Sequence, residues 1–181
     1  MLSTIKIPKT ANNNRKGFLN ARYLCWGLTK QRFGQKICLS AITKRRPDIW
    51  EEIKRLGSLL KNSDGSQFLF SSVHLNQNVE CPPHKDKGNI GNSVLVGFGD
   101  YTGGHLCVES GAEYDIRHQP ICFNGSQIEH WNTPMESGSK YSLVFYVHKC
   151  AFKVPCIPSE GATPPSQPRP QAELPDTPLA I

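Results

Sequence analysis

Ser93-Val94-Leu95-Val96-Gly97-Phe98-Gly99-Asp100-Tyr101-Thr102-Gly103-Gly104-His105-Leu106-Cys107-Val108 is the stretch from which the fold can be read. Two runs of aliphatic and aromatic residues flank a segment punctuated by Gly99, Gly103 and Gly104. Glycine admits the backbone conformations that a tight turn needs, so the stretch predicts strand, turn, strand. Similar short runs recur at 68–75, 114–116, 121–123 and 141–148, bounded by Gly, Asn, Asp or Pro. Many short strands joined by glycine turns imply a β-sandwich or barrel.

N-terminal to this region the periodicity changes. Ile49, Ile53, Leu56 and Leu60 recur at helical spacing and predict a helix over 47–61, one apolar stripe packed on the sheet. Thr43 or Pro47 lies near its start, and Lys54, Arg55 and Lys61 near its end, where positive charge suits the helix dipole. Residues 18–39 read as a pair of short strands with Gly27 and Gly34 as breaks. Residues 1–16 are polar and basic, with little to bury, and read as a flexible N-terminus. From Pro155 to Ile181 the chain is proline-rich and reads as a disordered tail. The expected organisation is one domain over 17–152 with its barrel at about 66–149.

Charge is divided unevenly. Residues 1–62 carry a net +11 and the remainder −5, giving the overall +6. A basic arm on an acidic body suits a polyanion such as DNA or RNA, and equally a solvated surface. No run of 18 apolar residues and no signal-like apolar segment occurs, which points to an intracellular protein with no membrane partner. The seven cysteines form no C-x-x-C pair, which argues against zinc ribbons and thioredoxin-like chemistry. All seven are expected reduced and non-catalytic, with Cys107 and Cys122 as small buried hydrophobes.

The chemistry lies in His84-Lys85-Asp86. Side chains at i and i+2 of an extended segment project to one side, so an imidazole and a carboxylate can grip one ion. A third ligand is needed, and His130 in Gln127-Ile128-Glu129-His130-Trp131 is the best candidate. Two histidines and one carboxylate leave coordination positions open, as a non-haem Fe(II) oxygenase requires. Ten residues later, Lys140 and Ser142 again share a face and suit the distal carboxylate of a diacid. Asn76, Asn78, Asn89, Asn92 and Ser93 suit substrate or ligand support, with turn formation preferred. Trp131 is read as packing, and His74, His105, His118 and His148 as non-ligands.

This pattern resembles the 2-oxoglutarate/Fe(II) dioxygenase superfamily: H-x-D, a distal His, then R-x-S or K-x-S about ten residues on. The resemblance spans 68–148 and departs in carrying Lys140 where Arg is more frequent. Gly99-Asp100-Tyr101-Thr102-Gly103-Gly104-His105-Leu106 narrows it towards the TET/J-base branch, whose members oxidise the methyl group of thymine or 5-methylcytosine. The resemblance implies a double-stranded β-helix (jelly-roll) barrel with His84, Asp86 and His130 as iron ligands. Lys140 and Ser142 would hold 2-oxoglutarate. The implied activity is hydroxylation of a C–H bond with O2, coupled to decarboxylation of 2-oxoglutarate to succinate, with ascorbate as reductant. A nucleic-acid base is the expected substrate and a protein side chain, as in prolyl hydroxylases, the alternative. A catalytically silent jelly roll that binds a metal or a partner is the reading from another class.

Overall fold

The structure is a computed structural model that describes Ile7 and residues 22–30, 37–62 and 64–153. The N-terminal segment 1–16 apart from Ile7, Gly34, Cys156 and the proline-rich tail lie outside the described residues. Strands β1 (Arg22–Lys30) and β2 (Ile37–Leu39) lead into helices α1 (Ala41–Arg45) and α2 (Pro47–Gly57). Nine strands follow: β3 (Ser72–Gln77), β4 (Asn89–Phe98), β5 (Tyr101–Gly103), β6 (Leu106–Val108), β7 (Glu113–Tyr114), β8 (Ile121–Phe123), β9 (His130–Asn132), β10 (Met135–Gly138) and β11 (Tyr141–His148).

A six-stranded sheet runs β2-β1-β3-β11-β4-β8, and every paired neighbour in it is antiparallel. Two smaller sheets, β10-β5 and β7-β6-β9, complete a jelly roll with few helices. Register decides which residues share a face. Cys25, His74, Val144 and Leu95 lie side by side across four strands, as do Leu24, Leu75, Leu143 and Val96. The second set faces outward with Trp26, Val73, Val94 and Phe145, and Ile49 and Ile53 of α2 cover it. The first set faces inward, where Leu95 packs with Leu106 of the smaller sheet and with Ile116. The inner face is therefore where polar chemistry has room.

Several expectations meet corrections with physical causes. The helix ends at Gly57, where Ser58 Oγ donates to the Arg55 carbonyl at 2.7 Å. Leu56, expected in the core stripe, is exposed, and Gly57 takes the core-facing place beside Ile53. A methyl group at Gly57 would stand 2.1 Å from Phe70 Cε1, so glycine lets the helix approach the sheet. Gly27 does not break β1 but sits inside it at φ +85°, with its side-chain direction filled by the Ser71 carbonyl. The strand read at 68–75 begins only at Ser72, and that read at 93–98 starts earlier, at Asn89. Cys122 is exposed because alternation along β8 turns Ile121 and Phe123 inward. Ile7 is buried in the core, so the N-terminal segment does supply an apolar contact. The six described cysteines form no disulfide, and no described helix is long and apolar enough to cross a membrane.

Gly57→Ala tests this packing. Overpacking against Phe70 costs about 1–3 kcal/mol, outweighing the roughly 1 kcal/mol that alanine gains in helix propensity. Denaturant unfolding should show lower stability for the variant; equal or higher stability would contradict the close approach.

Candidate functional site

Two loops meet above the inner face of the large sheet. Cys81-Pro82-Pro83 stiffens the approach to His84, because proline fixes φ and biases its predecessor to extended backbone. Residues 81–86 are then hydrogen-bonded to 125–132. The Cys81 carbonyl accepts from Asn132 N at 3.2 Å, His84 and His130 exchange both backbone bonds at 3.0 Å, and Asp86 N donates to Gly125 O at 2.8 Å. Cys81 Sγ also donates to Asn132 Oδ1 at 2.8 Å. The pairing brings together His84, Asp86 and His130, separated by up to 46 positions in the sequence.

Their donor atoms all lie within 4.8 Å of one another. His84 Nε2 is 3.7 Å from Asp86 Oδ1, and His130 Nε2 is 3.8 Å from Asp86 Oδ2. Both rings are oriented by backbone carbonyls: His84 Nδ1 donates to Pro82 O at 2.9 Å and His130 Nδ1 to Ile128 O at 3.0 Å. With hydrogen on Nδ1, each Nε2 turns a lone pair towards the carboxylate, the tautomer a metal ligand needs. Burial pushes the His130 imidazole below its usual range, with the neighbouring His84 adding to this and the Ile128 carbonyl and Asp86 opposing it. Asn89 Nδ2 donates to Asp86 Oδ2 at 3.2 Å and fixes the carboxylate. A methyl group at Gly125 would stand 3.2 Å from His130 Cε1 and 3.4 Å from Asp86 Oδ2, so glycine keeps this cradle open. The donor set, two nitrogens and a carboxylate without thiolate, fits a divalent first-row metal with open coordination positions.

Two spaces meet at the cluster. A cavity of about 100 Å³ extends inward, lined by Lys140, Ser142, Asn76 and Ser93 among others. A cleft of about 590 Å³ opens outward, and His74, His84, Asp86 and Val144 belong to the walls of both. Lys140 enters the inner cavity from the start of β11 and is almost fully buried. Asn78, at φ +49°, holds its backbone at both N–H and C=O. The ammonium donates to the Gly104 carbonyl, and a methyl group at Gly104 would lie 3.2 Å from Lys140 Cδ. Burial pushes the Lys140 ammonium down to about 8, against the opposing pull of Cys81, Asp115 and Glu80. Asn76 Nδ2 donates to Ser142 Oγ at 3.3 Å, leaving that hydroxyl's hydrogen for another acceptor. Ser93 Oγ is buried in the same cavity with no hydrogen-bond partner. A buried orphan hydroxyl is costly without an acceptor.

No protein-family model matches the chain, and no curated protein matches it. Solved structures do. NgTET1 in complex with 5mC DNA superposes with a TM-score of 0.51 at 18% identity, covering 70% of this chain and 61% of that one. A 2OG-Fe(II) oxygenase family oxidoreductase from Burkholderia pseudomallei has a TM-score of 0.49 at 13% identity, covering 70% and 65%. A Pseudomonas putida prolyl-4-hydroxylase has a TM-score of 0.39 at 13% identity, covering 75% and 74%. The chain shares the fold of NgTET1. The chain spans less than two thirds of the length of the first two.

Several residues have roles that sequence reasoning missed or undervalued. Asn89 and Ser93 belong to β4 rather than to turns, and Asn89 supports Asp86. Among the residues proposed as turn formers, Asn78 does take a positive φ. His74 and His148, set aside as non-ligands, are no part of the cluster but line the outer cleft. His105 pairs with Glu113, and His118 lies against Phe98. Trp131 is half-buried opposite Cys107 and joins neither core cluster. Alternation and cross-strand register would have found the cleft residues, but register is invisible in one sequence.

Calorimetric titration with Mn(II) should show one site, lost in His84→Ala and in Asp86→Ala. Asn89→Ala should weaken it by about 10- to 100-fold. Undiminished affinity in His84→Ala would mean that the cluster is not where the ion binds.

Proposed function

We propose that the protein is an Fe(II)- and 2-oxoglutarate-dependent dioxygenase that hydroxylates a C–H bond of a nucleic-acid base. His84, Asp86 and His130 hold iron, and Lys140 and Ser142 hold the cosubstrate. The observation that carries this reading is the position of the cluster, on the partition between an inner cavity that holds a buried cation and a larger outer cleft. A structural zinc site would instead be closed by four protein ligands.

When bound, iron with 2-oxoglutarate and O2 supplies the oxidation that no side chain can perform, with succinate and CO2 as coproducts. The remaining work belongs to the protein. His84 and His130, each held through Nδ1, keep their Nε2 atoms turned towards the Asp86 carboxylate. Lys140 meets the far carboxylate of the diacid with an ammonium that has already lost its water, and Ser142 donates beside it. Leu95, Leu106, Ile116, Phe123 and Val144 line the inner cavity and exclude solvent from the reacting end. Support for a nucleic-acid substrate comes from the +11 charge of residues 1–62 and from a fold shared with a protein that binds 5mC DNA.

Two experiments test the proposal. Protein supplied with Fe(II), ascorbate and 2-oxoglutarate should form succinate. Lys140→Met should raise the apparent KM for 2-oxoglutarate by about 10- to 100-fold, the worth of a charge-assisted bond. The ammonium is charged below its pKa of about 8, so that KM should be flat below this pH and rise above it. A pH-independent KM would contradict the role of Lys140. Mass spectrometry of bases from treated DNA and RNA should find one that has gained a single oxygen atom. Unchanged bases with a hydroxylated peptide would instead identify a protein substrate.

A further inference from the structure

The outer cleft carries features that metal and cosubstrate leave unused. On its floor, Tyr23 from β1, His74 from β3 and Tyr146 from β11 stand ring to ring. Centroids are 5.5 Å apart for Tyr23 and His74, and 5.2 Å for His74 and Tyr146. Tyr146 is buried, and its hydroxyl lies 3.2 Å from His74 Nε2, holding the imidazole in place. Tyr23 and His74 are only half-buried, so ring surface remains available to a ligand.

The rim is cationic. Lys30, Lys85 and Lys87 line the cleft, and among the described residues its one acidic lining residue is Asp86. Lys85 has Glu109 at 3.5 Å, whereas among the described residues Lys30 and Lys87 have no carboxylate within ion-pair distance. At the same end, His148 Nδ1 accepts from Cys150 N at 3.1 Å, which leaves the ring's hydrogen on Nε2. Nε2 lies against Gly88 on the cleft wall, 3.2 Å from where a Cβ would be. Burial lowers the His148 imidazole, with Lys149 and Lys30 acting in the same direction, so the ring is a neutral donor.

An aromatic wall, with Tyr23 tilted 40° and Tyr146 67° from the His74 ring, beside a rim in which Lys30 and Lys87 face no described carboxylate suits a ligand with a planar ring at one end and an anion at the other. We infer that the cleft seats one nucleotide of an unpaired strand, its base against Tyr23 and His74 and a phosphate among Lys30, Lys87 and His148 Nε2. Single-stranded nucleic acids are held in this way, by base stacking on aromatic rings and by cations along the backbone. An uncharged peptide segment would leave the lysines without partners. The inference rests on the proposed nucleic-acid reading and names the side chains that would serve it.

The test is fluorescence anisotropy of the full chain, loaded with Mn(II), against a labelled twelve-nucleotide single strand of mixed sequence. Tyr23→Ala should weaken binding about 10-fold, while Tyr23→Phe, which keeps the ring, should restore it. Lys30→Gln and Lys87→Gln should each weaken binding and flatten its dependence on log salt by about 0.7. Arg117→Gln, outside the cleft lining and paired with Asp115, should change neither. Equal affinity and salt slope in all the cleft variants would overturn the inference, as would binding of a labelled peptide in preference to the strand. Succinate formation without substrate, measured separately, keeps the two claims apart. Turnover with unaltered strand binding in the variants sinks the cleft assignment alone. Variant-sensitive strand binding without turnover upholds it while the oxygenase reading fails.

Discussion

The backbone pairing between residues 81–86 and 125–132 is the constraint on which the rest depends. The isolated bridge between His84 and His130 satisfies both of their N–H and C=O groups, and the bond from Asp86 to Gly125 extends the pairing to the third member of the cluster. The pairing does two things at once. It sets both imidazoles on one side of Asp86, and it leaves their Nδ1 atoms next to the Pro82 and Ile128 carbonyls, which dictate the tautomer. A cluster built this way is held by main-chain hydrogen bonds between the two segments. A methyl group at Gly125 would press on His130 Cε1 at 3.2 Å and touch Asp86 Oδ2 at 3.4 Å, so glycine eases the packing beside the cluster.

Beneath the cluster, the large sheet divides the work by alternation. Along β11, Leu143 and Phe145 pack outward under α2, while Ser142, Val144 and Tyr146 turn to the inner face. Ser142 lines the inner cavity, Tyr146 the outer cleft, and Val144 both. A single strand thus lines both spaces, and a slip of one residue would exchange every one of these roles. The buried Lys140 is the costly element. Its desolvation is offset in part by the Gly104 carbonyl and the ring of Tyr101, whose centroid is 5.7 Å from the ammonium. A dianionic ligand would complete that compensation.

What was legible in the sequence is what depends on short spacing. His84 with Asp86, and Lys140 with Ser142, could be read because an i, i+2 pair in extended chain shares a side whatever the rest does. Strands 121–123 and 141–148 were bounded correctly because turn residues flank them closely. The failures share a different cause. Leu56 lost its expected place to Gly57 because helix–sheet approach, not hydrophobicity, decided the contact. Gly27 was misread as a break because an interior glycine at positive φ looks the same in sequence as a loop glycine. Cys122 was misplaced because a three-residue strand gives too little alternation to show which side faces in. The grouping of His74, Tyr146 and His148 along the outer cleft exists only across strands β3 and β11, through a register that no local pattern encodes.

The most direct measurement is an anomalous difference map from crystals of the protein soaked in Mn(II) under anaerobic conditions. The account requires one strong peak between the two imidazoles and the carboxylate, within about 2.0–2.2 Å of His84 Nε2, Asp86 Oδ and His130 Nε2, the reach of such donors to a first-row metal. A peak elsewhere, or one that either imidazole faces away from, would contradict it.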